Sequence, residues 1–144
     1  MRRQNFWSSM VACMALTGCV SVYQPATDEG TATIRTIGWA PPHLCLAGKP
    51  YLLPPVAGMD NTFVVPAGGS VTILFKLAQY DGSFAHTCTP GVSFHPVAGQ
   101  TYVMHTTMSA VGRCRTEVVK VNPAARMGVD VEYTAGPPLC RAFW

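Results

Sequence analysis

Charge is scarce in this chain, with 10 basic and 7 acidic side chains among 144 residues. So small a net charge gives no case for a nucleic-acid binder, which wants a basic patch or stripe dense enough to neutralise several phosphates. Also missing is an apolar run of the roughly 20 residues that a membrane-spanning helix needs. The run from Phe6 to Leu16 is shorter and is interrupted by Ser8 and Ser9. No C-x-x-C or H-x-x-x-H pair occurs, so the usual spacing of zinc ligands is absent. His43, His86, His95 and His105 therefore read as surface or loop imidazoles, with His105 on the polar face of its strand. After Cys19 no segment carries a helical stripe.

A catalytic constellation is equally lacking. Gly68-Gly69-Ser70-Val71-Thr72 approaches a nucleophile elbow, but Thr72 stands where a second glycine belongs and no strand-to-helix step follows. Ser70 reads instead as the first residue of a strand. Asp130 and Glu132 share one face of a predicted strand, as a general acid and base would, but a solvated face explains them as well. Nucleophile, base and orienting group cannot be named together, so the expectation is a non-enzymatic protein with no metal and no cofactor.

What is present begins at the start of the chain. Arg2 and Arg3 supply a positive n-region, and Phe6 to Leu16 has the length of a signal-peptide core. Leu16-Thr17-Gly18-Cys19 closes the leader. These four residues resemble the lipobox of bacterial lipoproteins, cut immediately before a cysteine that becomes the lipid anchor. The resemblance covers the first nineteen residues. It implies that 1–18 is a removed signal peptide, that Cys19 is lipidated and that a membrane holds the mature protein. Val20, rather than an aspartate, follows the cysteine, which implies a periplasm-facing anchor in the outer membrane of a Gram-negative source.

Losing Arg2 and Arg3 leaves eight basic against seven acidic groups, so the net charge falls from +3 to +1. A mature chain of this size buries a little under 70% of its unfolded surface, enough for one core. Val20 to Gly30 shows neither alternation nor helical period and reads, with Cys19, as a lipidated tether over 19–30 reaching at most about 36–40 Å. Cys13 departs with the leader and Cys19 is consumed by lipid, leaving Cys45, Cys88, Cys114 and Cys140. Four cysteines in an oxidising compartment read as two disulfides with three possible pairings. Predicted strands place Cys88 and Cys114 on either side of Gln100 to Met108, which favours joining them and, by elimination, Cys45 to Cys140.

From Thr31 onward the pattern is β. In Ser70 to Gln79, Val71, Ile73, Phe75 and Leu77 share one face and Thr72, Leu74, Lys76 and Ala78 the other. Tyr80-Asp81-Gly82-Ser83 supplies a turn. Further strands are predicted at Thr31 to Gly38, Asn61 to Val65, Gly91 to His95, Gln100 to Met108, Arg113 to Val121 and Val129 to Tyr133. This spacing predicts an all-β fold over 31–144, a single antiparallel β-sandwich of about seven strands. Two turns, Val65-Pro66-Ala67-Gly68-Gly69-Ser70-Val71 and Pro96-Val97-Ala98-Gly99-Gln100-Thr101-Tyr102, each set Ala-Gly and polar residues ahead of a strand. They resemble the turn of transthyretin-like and PEGA-type surface domains. Thr31 to Tyr133 is similar to the small β-sandwich lipoproteins of the proteobacterial envelope, which implies an immunoglobulin- or transthyretin-like sandwich.

Tyr102, Met104 and Met108 share a face that reads as core. Arg113, Arg115 and Glu117 alternate with Cys114, Thr116 and Val118, so the disulfide side should face inward and the charged side outward. Arg113 and Arg115, with Lys120 and Arg126 nearby, make a candidate contact for an acidic envelope partner. Pro137 and Pro138 argue against the last residues being a barrel-closing strand, so Phe143 and Trp144 read as cover for an apolar edge or as a partner contact held by Cys140. The expectation is a membrane-tethered structural or protein-interaction module with an envelope protein partner. Its alternative is a periplasmic module that binds a small ligand, a glycan or a hydrolase.

Overall fold

In the computed structural model of the chain, the described residues are 21–26, 30–38, 40–80, 82–109 and 112–140. The predicted leader, Cys19, Phe143 and Trp144 lie outside them. Alternating and β-branched segments form thirteen strands among the described residues, with no helix: β1 (Ser21–Val22), β2 (Thr31–Ile37), β3 (Pro42–Leu46), β4 (Lys49–Leu52), β5 (Pro55–Val56), β6 (Met59–Pro66), β7 (Val71–Phe75), β8 (Leu77–Tyr80), β9 (Ala85–Cys88), β10 (Gly91–Phe94), β11 (Thr101–Met108), β12 (Cys114–Val121) and β13 (Val129–Val131). They make a five-stranded sheet in the order β1-β4-β3-β7-β10, a six-stranded sheet in the order β13-β12-β11-β2-β6-β5, and the separate pair β8-β9.

The all-β expectation holds, whereas the count of about seven strands and the antiparallel arrangement need correction. Strand β2 pairs in parallel with β11, Thr101 opposite Thr33 through His105 opposite Ile37, and β1 pairs in parallel with β4. Residue patterning marks which face of a strand is buried but not its direction. A parallel pair needs only a long connection, here the whole stretch between β2 and β11. The strand predicted over Ser70 to Gln79 is also two strands. Strand β7 ends at Phe75, and beyond Lys76 the chain leaves the sheet to form β8, which pairs with β9 from Leu77 opposite Cys88 to Tyr80 opposite Ala85.

The two larger sheets share one core. Ile34, Phe63, Val65, Tyr102 and Met104 from the six-stranded sheet meet Leu44, Val71, Ile73, Phe75, Val92 and Phe94 from the other. At its centre the Phe94 and Tyr102 rings lie edge-on, 5.0 Å between centroids. The Tyr102 hydroxyl accepts the Val97 N–H at 3.0 Å, which satisfies the polar end of a fully buried ring. Tyr102 and Met104 are thus in the core as expected, and Met108 is half-buried.

The two similar turns meet at one end of the domain. The Ala67 N–H donates to the Gly30 carbonyl, the Gly68 N–H to Pro96 and the Gly99 N–H to Thr31, at 2.9, 3.0 and 2.8 Å. Gly68 and Gly99 both take positive φ, 85° and 74°, where a side chain would be strained.

Strand β7 shows no amphipathic alternation in its burial, since all five residues are buried. Its outward Leu74 lies against Gly91. A Cβ built on Gly91 falls 2.5 Å from Leu74 Cδ2 and 2.7 Å from the Ile73 carbonyl oxygen. Gly91→Ala is therefore expected to lower stability by about 1–3 kcal/mol, the usual cost of overpacking. Urea unfolding should show a lower midpoint at unchanged slope; an unchanged midpoint would contradict this packing.

Part of the predicted tether is docked. Ser21 and Val22 lie opposite Tyr51 and Leu52, and the Tyr23 N–H donates to the Leu52 carbonyl at 2.9 Å. Tyr23 is only 7% exposed, its ring 6.2 Å from that of Tyr51. A two-residue strand has no period to detect, which is why the stretch reads as free chain in sequence. Val20 separates Cys19 from Ser21.

Candidate functional site

The outward row of the five-stranded sheet is built from Cys45, Thr72 and Ser93, with Cys45 opposite Thr72 and Thr72 opposite Ser93. Segment 136–140 lies across this row. Ser93 and Gly136 exchange backbone hydrogen bonds of 3.1 and 2.8 Å, and the Leu139 N–H donates to Ser93 Oγ at 2.9 Å. The Thr72 and Ser93 hydroxyls share a hydrogen bond of 2.7 Å. The Cys45–Cys140 disulfide, with its Cα atoms 6.3 Å apart, closes the cover. These buried hydroxyls are satisfied by each other and by the backbone, which marks them as structural rather than reactive. In sequence Thr72 reads as solvent-facing because nothing in the pattern announces that a distant segment returns over it.

Cys88 bonds to Cys114 as the second disulfide, so both favoured pairings are found. The reasoning behind them holds only in part. Cys114 opens β12, a neighbour of β11, whereas Cys88 ends β9 in the separate hairpin. This bridge ties the hairpin to the body of the domain.

At the end where β2 and β11 finish and β3 begins, the two sheets leave a cavity of about 590 Å³, lined by Thr36, Ile37, Phe75, Leu77 and Met108 among others, with Lys76 at its wall. A second recess of about 380 Å³ shares Thr36, Gly38, Ala40 and Pro41 with it and is lined besides by Val22, Leu52, Pro54 and Phe63. The lining is apolar apart from Thr36, Gln79, Thr106, Lys76 and Asp60, and it brings no acid and base together. Such a space fits an apolar ligand or a side chain from a partner. Among the described residues no group of three or more His, Cys, Asp or Glu side chains is placed to hold a metal. Burial of the His43 ring holds its pKa below the ordinary 6.5, against the backbone hydrogen bond at Pro41, and Lys76 adds to the lowering. The ring is therefore neutral at pH 7.

On β12 the predicted alternation is present. Val118 is buried, Cys114 and Thr116 are half-buried, and Arg115 and Glu117 are exposed. The arginine stripe is partly neutralised, because Arg115 Nη2 lies 3.0 Å from Glu117 Oε1, with side chains 78% and 51% exposed. Solvent screens such a pair, which adds little to stability. Arg113 is exposed in the preceding turn, where its N–H donates to Ser109 Oγ at 3.1 Å and its carbonyl accepts the Ser109 N–H at 2.8 Å.

Asp130 and Glu132 do not form a shared solvated face. Asp130 accepts a 2.6 Å hydrogen bond from Asn122 Nδ2. Glu132 lies past the end of β13, is buried, and accepts from the Thr134 N–H and hydroxyl at 2.9 and 2.6 Å. Each carboxylate fastens its own turn. Cys19, Phe143 and Trp144 lie outside the described residues. Comparison with known proteins finds no match to any family model, curated protein or solved structure.

Proposed function

We propose that the protein is a lipid-anchored, non-enzymatic component of the cell envelope, held at the outer membrane through Cys19 and acting there as a protein-interaction module. One observation carries this reading. The four cysteines of the domain pair with one another, so that neither disulfide uses Cys19. Two disulfides suit an oxidising compartment outside the cytosol, and a spare cysteine at the end of a lipobox-like leader suits acylation. The two-sheet arrangement fits a sandwich of immunoglobulin or transthyretin kind, elaborated by the β8-β9 hairpin and the parallel β2-β11 pair.

The hairpin is the surface best suited to a protein partner. Among the described residues its strands join no other sheet, and Tyr80 and Phe84 near its tip are 80% and 69% exposed. Exposed aromatic rings near a hairpin tip support aromatic anchoring of a partner. Affinity capture from mildly crosslinked envelopes tests this. A stoichiometric protein is expected with the wild type and is expected to be lost with Tyr80→Asp and with an exported, unlipidated form. No protein partner in any form would overturn the interaction role. The cavity of about 590 Å³ favours a second reading, a small apolar ligand, which the same capture would reveal as a bound molecule without a protein.

A further inference from the structure

We propose that the outer face of β11, β12 and β13 is a self-association surface, on which a second copy of this chain packs its own outer face about a two-fold axis. The surface is distinct from the hairpin and does not depend on the anchor. Cys114, where the hairpin is tied, lies five residues from Val119, about 17 Å along β12.

Strand register defines the face. Tyr102, Met104 and Val118 point into the core, so the residues that alternate with them point away from it. Val103 lies opposite Val119 and Val119 opposite Val131, one row across three strands. Val121 lies opposite Val129 in the row two residues along. Five valines thus stand together where an antiparallel sheet open to water ordinarily sets polar side chains. Val131 is 62% exposed, and Val103, Val119, Val121 and Val129 are half-buried. Met127 and Tyr133, on either side of β13, are 80% and 90% exposed.

The chemistry of the face suits its own copy. The acidic groups of β13 and its end are withdrawn from it. Asp130 lies opposite Lys120, which lies opposite Tyr102, so its carboxylate is on the core side, where it is held by Asn122. Glu132 is buried and held by Thr134. Like charges therefore do not meet across the valines. The rim carries both signs, with exposed Arg35 opposite Val103 and exposed Glu117 opposite His105. A two-fold contact requires a patch that complements itself, and this one offers a neutral centre with a cation and an anion at its border. A net charge of +3, or +1 without the leader, does little to keep copies apart.

Size sets the strength. Adding β2, four strands and six residues along β12 give a face of about 19 by 20 Å, about 400 Å² before side-chain relief. A standard interface buries about 800 Å² on each partner, so the dimer is a weak one, with a Kd of about 10 μM. Two such faces pack about 10 Å apart, as the sheets of a sandwich do.

The test is sedimentation equilibrium of the full-length chain, expressed with its leader and extracted in density-matched detergent, over about 1–100 μM. The wild type should pass from monomer to dimer across this range. Val119→Lys combined with Val131→Lys should raise the Kd at least about tenfold, with a urea midpoint close to that of the wild type because both side chains point outward. Met59→Lys, at a 52% exposed position on β6, should dimerise as the wild type does. A photoreactive Val131→p-benzoylphenylalanine chain reads the contact in native envelopes even if the lysine variant fails to fold, and should crosslink to a species of twice the chain's mass. A wild type that stays monomeric, a dimer kept by the folded lysine variant or lost equally in Met59→Lys, or a crosslink to a different protein would each overturn the proposal.

Discussion

Cys19→Ala is expected to abolish lipid labelling completely and to leave unprocessed or misprocessed precursor. Alanine offers no nucleophile for acylation, so the thioether that would carry the lipid cannot form. The folded domain should be unaffected, because both disulfides are made by other cysteines and the strand pairing among the described residues starts at Ser21. Growth with labelled palmitate followed by envelope fractionation reads both consequences. Wild-type lipid labelling and normal processing of Cys19→Ala would refute the lipobox reading. The loss of label should be all-or-none, because alanine has no thiol to acylate.

The second large effect concerns the fold. Replacing Cys45 and Cys140 together with alanine is expected to lower stability by about 4.7 kcal/mol, because the bridge closes a loop with a sequence separation of 95. The same replacement of Cys88 and Cys114, whose separation is 26, should cost about 3.5 kcal/mol. Against a total of about 5–15 kcal/mol for an ordinary domain, the first loss approaches unfolding. Structure adds to the difference in loop length. Cutting Cys45–Cys140 also frees the segment over Thr72 and Ser93, loosening the 2.7 and 2.9 Å hydrogen bonds that satisfy those hydroxyls. Denaturant unfolding of the two double variants checks the order. Equal losses, or a greater loss for Cys88 and Cys114, would contradict the sealing role of segment 136–140.

Much of the fold is legible in residue order because alternation reports burial directly. The strands predicted at Thr31 to Gly38, Gly91 to His95, Gln100 to Met108 and Arg113 to Val121 reappear as β2, β10, β11 and β12 within a residue at each end. Strand β3 escapes sequence reading because Pro41, Pro42 and His43 look like loop, although Leu44 is fully buried and Pro42 pairs with Phe75. The all-buried strand β7 shows a second limit. Its polar Thr72 and apolar Leu74 read as an outer face, but segment 136–140 returns over the Thr72–Ser93 row and the bare backbone of Gly91 leaves room for the Leu74 side chain. Strand direction is a third, as the parallel β2-β11 pair shows.

The candidate site divides along the same line. Disulfide partners can be narrowed by cysteine counting, because compartment and number constrain them before any geometry is known. A cavity between sheet ends cannot, since Thr36, Phe75 and Met108 come from three separate strands and share no motif. The Arg115–Glu117 contact lies between, at a spacing of two that puts both residues on one face of β12, although their pairing is a matter of rotamer.

The central claim is an anchored, disulfide-closed chain that begins at Cys19, and the intact mass of the native protein, extracted from envelopes without reductant, tests it most directly. The predicted mass is that of a chain starting at Cys19 and carrying acyl groups, lowered by two hydrogens for each of the two disulfides. A mass that retains residues before Cys19, or that shows Cys19 unmodified, would contradict it.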